Sequence, residues 1–381
     1  IFTKTDYVAS IYIHIPYCKK RCIYCNFHFK TSMQDKIDVL NSIQEEIEIK
    51  KNYLNNSLIN SIYFGGGTPS LLEDNEILIL LEKIKKIHTI SNDVEITLEC
   101  NPEDLSVKKL KYLKNIGVNR LSIGVQSFNN RLLKFMNRAH NANQAIKGIR
   151  YAKEAGINNI SIDLIYGIPN QSLSIFKKDL GYIIDLDIPH FSAYMLTVEK
   201  NTLLKNMVNK KKISMLSDKK IVSQFNVLTE FANKNNFIHY EISNFGKNSF
   251  LSNHNISYWK NKSYLGLGPA AHSFNGVTRS WNISSNREYI KHIKLKREYY
   301  RIEYLSKQEK YNEYIFTNLR TIWGINSNKL KEIFGENIYK KFNYEAKKWI
   351  ISDHLIEEKN KLILSKKGKL FADNISADLF L

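Results

Sequence analysis

The sequence predicts an α/β fold: a partial (β/α)6, TIM-like barrel, open rather than closed, with a smaller helical, winged-helix-like domain after it. Three observations carry this. Six short β-like segments recur, each followed by a helical pattern. Strict β–α alternation implies parallel strands joined by crossover helices. From about residue 306 the pattern changes to helices followed by a short hairpin. Six units fall short of a closed eight-stranded barrel.

The β-like segments are residues 10–15, 61–65, 94–99, 120–125, 160–165 and 191–196. Between and after them, residues 35–53, 75–88, 106–115, 129–137, 143–155 and 172–185 carry apolar residues at helical spacing. Two helix exits look alike, Asn115-Ile-Gly117-Val-Asn119 and Glu154-Ala-Gly156-Ile-Asn158. Each places Gly where a left-handed residue ends a helix. Residues 200–240 read as helical, which gives a barrel over 1–240. A connecting region, 241–305, reads as loop-rich, with Gly246, Gly266, Gly268, Pro269 and Gly276. In the last domain, 306–381, three helical stretches (308–321, 328–334, 338–351) precede a hairpin of 355–358 with 361–364 and a short helix over 365–374. Barrel chemistry sits at the C-terminal ends of the strands, so the loops after the strands are the expected site.

Composition narrows the function classes. A hydrophobic content of 43% suits a globular core. No apolar run reaches the roughly 18–20 residues of a membrane span. The opening Ile1-Phe2-Thr3-Lys4 carries neither a signal-peptide apolar region nor an initiator Met, and the expected location is the cytoplasm. The net charge of +19 comes from lysines spread along the whole chain among abundant Ile and Asn. A nucleic-acid surface would cluster its basic residues with interleaved aromatics, so none is expected. A basic surface still favours an anionic ligand or an acidic electron donor. Peripheral membrane contact and oligomeric state are left open by the sequence.

Of the four cysteines, Cys18, Cys22 and Cys25 lie together and Cys100 is remote. A disulfide framework pairs its cysteines in a short secreted chain, so this grouping points to metal or redox chemistry. The run is Ile11-Tyr-Ile-His-Ile-Pro-Tyr-Cys18-Lys-Lys-Arg-Cys22-Ile-Tyr-Cys25, spaced C-x3-C-x2-C in the loop after the first strand. Thiolate is the natural soft ligand for iron in a [4Fe–4S] cluster, and three cysteines leave one of four irons open to another ligand. Zinc, with His28 as a fourth ligand, is the competing use of the same residues. Cys100 reads as a small buried residue whose side chain alternation turns away from the pocket.

A glycine turn, Tyr63-Phe-Gly65-Gly66-Gly67-Thr68-Pro69-Ser70, follows the second strand and lets backbone approach a ligand without a Cβ in the way. Three further strands end on polar residues: Glu99, Gln126 and Asp163. Each would be costly to bury unpaired. One alone is usually a satisfied core group, whereas three from successive strands suggest a converging site. Arg138, in Met136-Asn-Arg-Ala-His140, either pairs with a carboxylate or sits on a helix end.

Together these motifs resemble the radical S-adenosylmethionine (SAM) family that contains oxygen-independent coproporphyrinogen III oxidase and the HemW heme chaperones. The likeness runs from residue 11 to about 374 and takes in the cysteine loop, Gly-Gly-Gly-Thr-Pro, Gly-Val-Gln-Ser-Phe and Asp-Leu-Ile-Tyr-Gly-Ile-Pro. The resemblance implies that Cys18, Cys22 and Cys25 hold the cluster. It also implies that SAM chelates the open iron, where one electron cleaves its sulfonium bond to a 5′-deoxyadenosyl radical. Tyr12, Tyr24, Gly66, Gly67, Thr68, Glu99, Gln126, Arg138 and Asp163 match positions that line the SAM site. Asp163 suits ribose hydroxyls, since a carboxylate accepts two hydrogen bonds from a diol.

Two branches of the family compete. The oxidase branch has a further Cys two residues after the third; here that position is Phe27, as in the HemW branch. The oxidases also carry an extension before the cysteine loop that is not seen in this sequence. His254-Asn255-Ile-Ser-Tyr258-Trp259 matches the H-N-x-x-Y-W motif associated with heme binding in HemW proteins, followed by Tyr264-Leu-Gly-Leu-Gly-Pro-Ala-Ala-His272. Heme takes an axial ligand, often His, and apolar walls. His254 supplies an imidazole and Tyr258 and Trp259 supply rings, although the same residues would also serve as packing. His272, His239 and His14 are the alternative ligands. The resemblance implies a chaperone that binds heme and passes it to acceptor hemoproteins, with SAM binding but without coproporphyrinogen decarboxylation.

Overall fold

The computed structural model describes residues 8–381; Ile1-Phe2-Thr3-Lys4 lies outside them. Six parallel strands form the centre of a twelve-stranded sheet: β1 (Val8–Ile15), β2 (Leu58–Gly66), β3 (Ile90–Cys100), β4 (Arg120–Gln126), β5 (Ile160–Tyr166) and β6 (His190–Met195). They lie side by side in chain order. The helices α1 (Lys36–Ile49), α2 (Asp74–Ile87), α3 (Val107–Asn115), α4 (Asn130–Phe135), α5 (Ala142–Glu154) and α6 (Leu173–Asp185) fill the crossovers. Local chemistry sets their ends. Ser106, Asn141 and Ser172 cap α3, α5 and α6 by accepting from backbone N–H groups. Gly117 and Gly156 leave α3 and α5 at φ of +108° and +79°, as their positions predict.

The barrel stays open. α7 (Leu203–Asn209) and α8 (Asp218–Lys234) follow β6, and the chain returns antiparallel as β7 (Ile238–Glu241) and β8 (Asn244–Gly246), with β8 against β6. After α9 (Asn253–Trp259), β9 (Tyr264–Leu267) joins the other side of β1 in parallel. β10 (His272–Phe274), β11 (Thr278–Asn282) and, after α10 (Asn286–Lys294), β12 (Tyr300–Tyr304) extend that side antiparallel. The region expected to be loop-rich is therefore strand-bearing. Strands of three to five residues separated by Gly and Asn turns carry too few residues to display a period.

Alternation divides the central strands into two faces. Ile11, Ile13, Ile62, Phe64, Ile96, Leu98, Leu121, Ile123, Ile162 and Leu164 are buried and belong to one hydrophobic cluster with the helices. Each contributes about 1.5–3 kcal/mol on burial. The opposite, inner face carries Ser10, Tyr12 and His14 on β1, Tyr63 on β2, Thr97 and Glu99 on β3, and Asp163 and Ser192 on β5 and β6. The C-terminal segment has a core of its own around Tyr311, Ile315, Leu330, Phe342 and Ile375. It is built from α11 (Lys307–Leu319), α12 (Ser327–Phe334), α13 (Glu336–Ile351) and α14 (Ala372–Asp378). Its three-stranded sheet joins β13 (Ile325–Asn326), β14 (Leu355–Glu358) and β15 (Lys361–Leu364).

Candidate functional site

The cysteine loop leaves β1 and is pinned before it reaches its thiols. Cys18 N donates to Lys30 O at 2.9 Å and Lys30 N to Pro16 O at 2.9 Å, closing the loop across its base. Tyr17 Oη donates to Asp35, whose carboxylate also meets Lys30. Farther along, Ile23 is buried among Leu132, Leu133, Met136, Ile165 and Leu204. Asn137 Nδ2 donates to Arg21 O at 2.8 Å. Cys18, Cys22 and Cys25 are all free and half-buried.

A cavity of about 630 Å³ opens beside them at the C-terminal ends of β1–β6. It gathers Cys18, Cys22, Cys25, Tyr24, Gly66, Gly67, Thr68, Glu99, Gln126, Arg138 and Asp163, every cluster and SAM position named from the sequence except Tyr12. The glycine turn is shaped by close approach. A Cβ on Gly67 would stand 2.5 Å from Tyr17 O, and one on Gly66 (φ +104°) 2.5 Å from the His14 ring. Gly66 N and Tyr63 Oη both donate to Glu99, at 3.1 and 2.8 Å. Burial raises Glu99 to about 7, against the Tyr63 hydrogen bond, and nearby Asp163 adds to the rise. Burial likewise raises Asp163 to about 6. Gln126 reaches the cavity through a register shift at the end of β4 and sits at φ +68°. That conformation is sparsely populated for a residue with a Cβ and is characteristic of functional sites.

A polar chain connects this wall to the thiols. Thr68 Oγ1 donates to Cys18 Sγ at 3.4 Å, and Arg138 Nη1 to Cys22 Sγ at 3.3 Å. Asn101 joins the two, donating to Thr68 Oγ1 at 3.2 Å and accepting from Arg138 Nη2 at 2.6 Å. Arg138 Nη2 also donates to Gly124 O at 2.7 Å. Of the two readings of Arg138, a carboxylate pair or a helix-end position, the structure shows neither ion pair nor free arm: the guanidinium meets a sulfur, an amide and a carbonyl. Burial opposes its charge, but Tyr24 and Cys22 hold its pKa above the usual arginine value.

The donor set fits an iron–sulfur cluster. Its three thiols line one cavity, and thiolate is the soft ligand that iron in such a cluster takes. His28, the fourth ligand of the zinc reading, is hydrogen-bonded through Nε2 to Asn286 Oδ1 at 2.8 Å. Burial pushes the Cys18 thiol up to about 12 and raises Cys25. Such thiols surrender their protons when a metal binds. The N–H and O–H donors to Cys18 and Cys22 are the kind that tune a cluster's potential.

Tyr12 stands apart from the cavity, one layer below it. His14 Nε2 donates to His28 O at 2.9 Å, which leaves Nδ1 to accept from Tyr12 Oη at 3.1 Å. The Tyr12 ring stacks on Tyr63, with centroids 6.1 Å apart. Below this layer lies the H-N-x-x-Y-W helix, α9, capped by Ser252. Its first turn is tied to Glu95 by the backbone N–H groups of Asn253 and His254. His254 is buried and stacked on Tyr63 at 4.8 Å. Ser61 donates to Ser10, so His254 Nδ1 donates to Ser61, and Nε2 accepts from Tyr258 at 3.0 Å. Burial lowers its pKa to about 3, with Arg120 adding to the effect. Asn255, Tyr258 and Trp259 are half-buried on the same helix. The two sequence-named groups therefore occupy different levels of one barrel, separated by the Tyr12 and Tyr63 rings.

Asn101, Ser122, Tyr194 and Glu199 also line the cavity, and sequence reasoning passed over them. Tyr194 shares the inner parity of Asp163 across the β5–β6 register, a signal that alternation could have supplied. Cys100 touches the cavity, although its thiol donates back to Leu98 O at 3.5 Å.

Sequence and fold are similar to those of known proteins. The family model described as the Radical SAM superfamily matches residues 12–183. The heme chaperone HemW of Bacillus subtilis is 32% identical over 97% of this chain and 98% of its own length. The chain belongs to the HemW branch of the radical SAM family. The heme chaperone HemW of Lactococcus lactis is 33% identical over 96% of each chain. Coproporphyrinogen III oxidase (HemN) of Escherichia coli, a radical SAM enzyme, shares the fold with a TM-score of 0.84. It is 20% identical, and the match covers 98% of this chain and 90% of that one. Membership of the HemW branch implies SAM and a [4Fe–4S] cluster. No helix among the described residues is long and apolar enough to cross a membrane.

Proposed function

We propose that this chain is a cytoplasmic heme chaperone that binds heme and passes it to acceptor hemoproteins. The observation that carries the reading is the near end-to-end similarity to relatives named as heme chaperones. Cys18, Cys22 and Cys25 would hold the [4Fe–4S] cluster, which would take its electron from a separate donor. Cluster and SAM, when bound, supply one-electron chemistry. The chain's own residues hold and orient: the backbone of Gly66 and Gly67 lines SAM's approach, and Thr68 and Arg138 donate to the cluster thiolates. Glu99, Gln126 and Asp163 face the cavity as polar contacts for SAM, with Tyr24 as an aromatic wall. His254, Asn255, Tyr258 and Trp259 belong to the heme-binding region, as their motif suggests.

The test is a hemin titration of the reconstituted protein, followed by mixing with the apo form of a b-type cytochrome. Stoichiometric binding and passage of heme to the cytochrome are expected. A parallel incubation with coproporphyrinogen, SAM and a reductant should leave the substrate unchanged. Formation of protoporphyrinogen would refute the chaperone reading in favour of the oxidase.

A further inference from the structure

A carried heme takes an axial ligand, often His, and can leave only from a ligand that is open to the surface. Of the ten histidines, eight have a ring nitrogen hydrogen-bonded within the protein. His88 is buried beyond the end of α2. His272 alone is exposed, and no described residue hydrogen-bonds its ring.

Its setting is built by the sheet extension. His272 on β10 pairs with Trp281 on β11, which pairs with Arg301 on β12. The next row of the same face holds Phe274, Arg279 and Glu303. This is the inner face of the sheet, since Phe274 pairs with Tyr264, and Tyr264 and Gly266 pair with Ser10 and Tyr12 of β1. The His272 and Trp281 rings stack with centroids 6.2 Å apart and planes at 27°. Arg301 is exposed and has no ion pair among the described residues, whereas Arg279 is paired with Glu313. Two strand spacings, about 10 Å, separate His272 from Arg301, a span that a porphyrin's radius and a guanidinium arm close together. The His272 backbone crowds Gly266, which pairs with Tyr12 on β1, and His14, two residues on, abuts the Gly66 turn. The face therefore continues from the cavity mouth.

The H-N-x-x-Y-W helix supports this face from below. Tyr258 meets Tyr264 edge-on at 4.6 Å, and Tyr264 lies 6.3 Å from Phe274 on the strand that carries His272. Both nitrogens of His254 are spent within the barrel. Resting on the heme reading above, we propose that His272 is the axial ligand of the carried heme, with Trp281 against the macrocycle and Arg301 meeting a propionate.

The test is a hemin titration of the full chain, read by Soret absorbance and by resonance Raman of the iron–histidine bond. In His272→Ala the imidazole signature should vanish and affinity should fall at least tenfold, with added imidazole restoring the spectrum. In His272→Cys the spectrum should shift to a thiolate type. Arg301→Ala should bind several-fold more weakly with an unchanged spectrum. Equal cluster incorporation by the variants checks their fold. A His272→Ala protein with wild-type spectrum and affinity overturns the ligand assignment and leaves the heme reading standing. Failure of the wild-type protein to bind heme overturns the heme reading itself, and this assignment with it.

Discussion

Glu46 on α1 is a fully buried carboxylate whose protonation should be visible in the stability of the whole barrel. Its Oε2 accepts from Gly268 N at 2.7 Å and from Tyr289 Oη at 2.6 Å, and its Oε1 accepts from Asn282 Nδ2 at 2.8 Å. These bonds tie the sheet extension to α1. Burial dominates and raises Glu46 from 4.5 to about 7, in spite of all three donors. The folded state therefore binds a proton that the unfolded chain has released between about pH 4.5 and 7. This group's contribution is fully present below the unfolded value and is lost as pH rises through the folded one. At 1.36 kcal/mol per unit, the loss is about 3 kcal/mol. Glu46→Gln keeps the shape and does not titrate in this range. Urea denaturation of the wild-type and Glu46→Gln apoproteins, repeated from pH 4.5 to 8, isolates the effect from other buried carboxylates. The wild-type stability minus that of the variant should fall by about 3 kcal/mol across the interval. Parallel curves for the two proteins would refute the reasoning.

Other outcomes concern the site. Cys22→Ala should abolish the visible absorbance of a reconstituted [4Fe–4S] cluster; a full cluster in that variant would remove Cys22 from the ligand set. Gly67→Ala places a methyl 2.5 Å from backbone Tyr17 O, so the turn or the cysteine loop must move. Lower cluster occupancy by iron analysis and a lower thermal midpoint are expected. Gln126→Gly releases a left-handed backbone strain of about 1–3 kcal/mol and removes a cavity side chain. Calorimetry should show a more stable protein, and equilibrium dialysis a weaker hold on SAM.

Much of the site is legible in the sequence because its determinants are local. The cysteine spacing lies within one loop, the glycine turn within another, and Glu99 and Asp163 interrupt apolar strands. Parallel β–α alternation then brings all of them to one rim. What the sequence hides depends on contacts distant along the chain. Asn101 looks like an ordinary pre-proline residue until Thr68 reaches it from the turn after β2 and Arg138 from the connection between α4 and α5. His254 advertises itself by motif, but its level in the barrel is set by Ser61 and Glu95, far earlier in the chain. His272 reads as one of several candidate ligands, and only the folded sheet shows that no described residue hydrogen-bonds its ring nitrogens, whereas His14 and His239 are hydrogen-bonded. The short strands β8–β11 escape notice because Gly246, Gly266 and Gly276 look like loop residues.

The two faces of the central strands have an evolutionary consequence. Cohesion comes from the outer layer, where Ile13, Phe64, Leu98 and Ile162 meet the helices. The inner layer of Ser10, Ser61, Thr97, Ser122, Ser161 and Ser192 contributes small polar groups instead. Substitutions on the inside would change the shape and polarity of the barrel's interior while the helices keep the strands in place. Drift on the outside has no such freedom, because there a lost methyl group weakens the whole molecule.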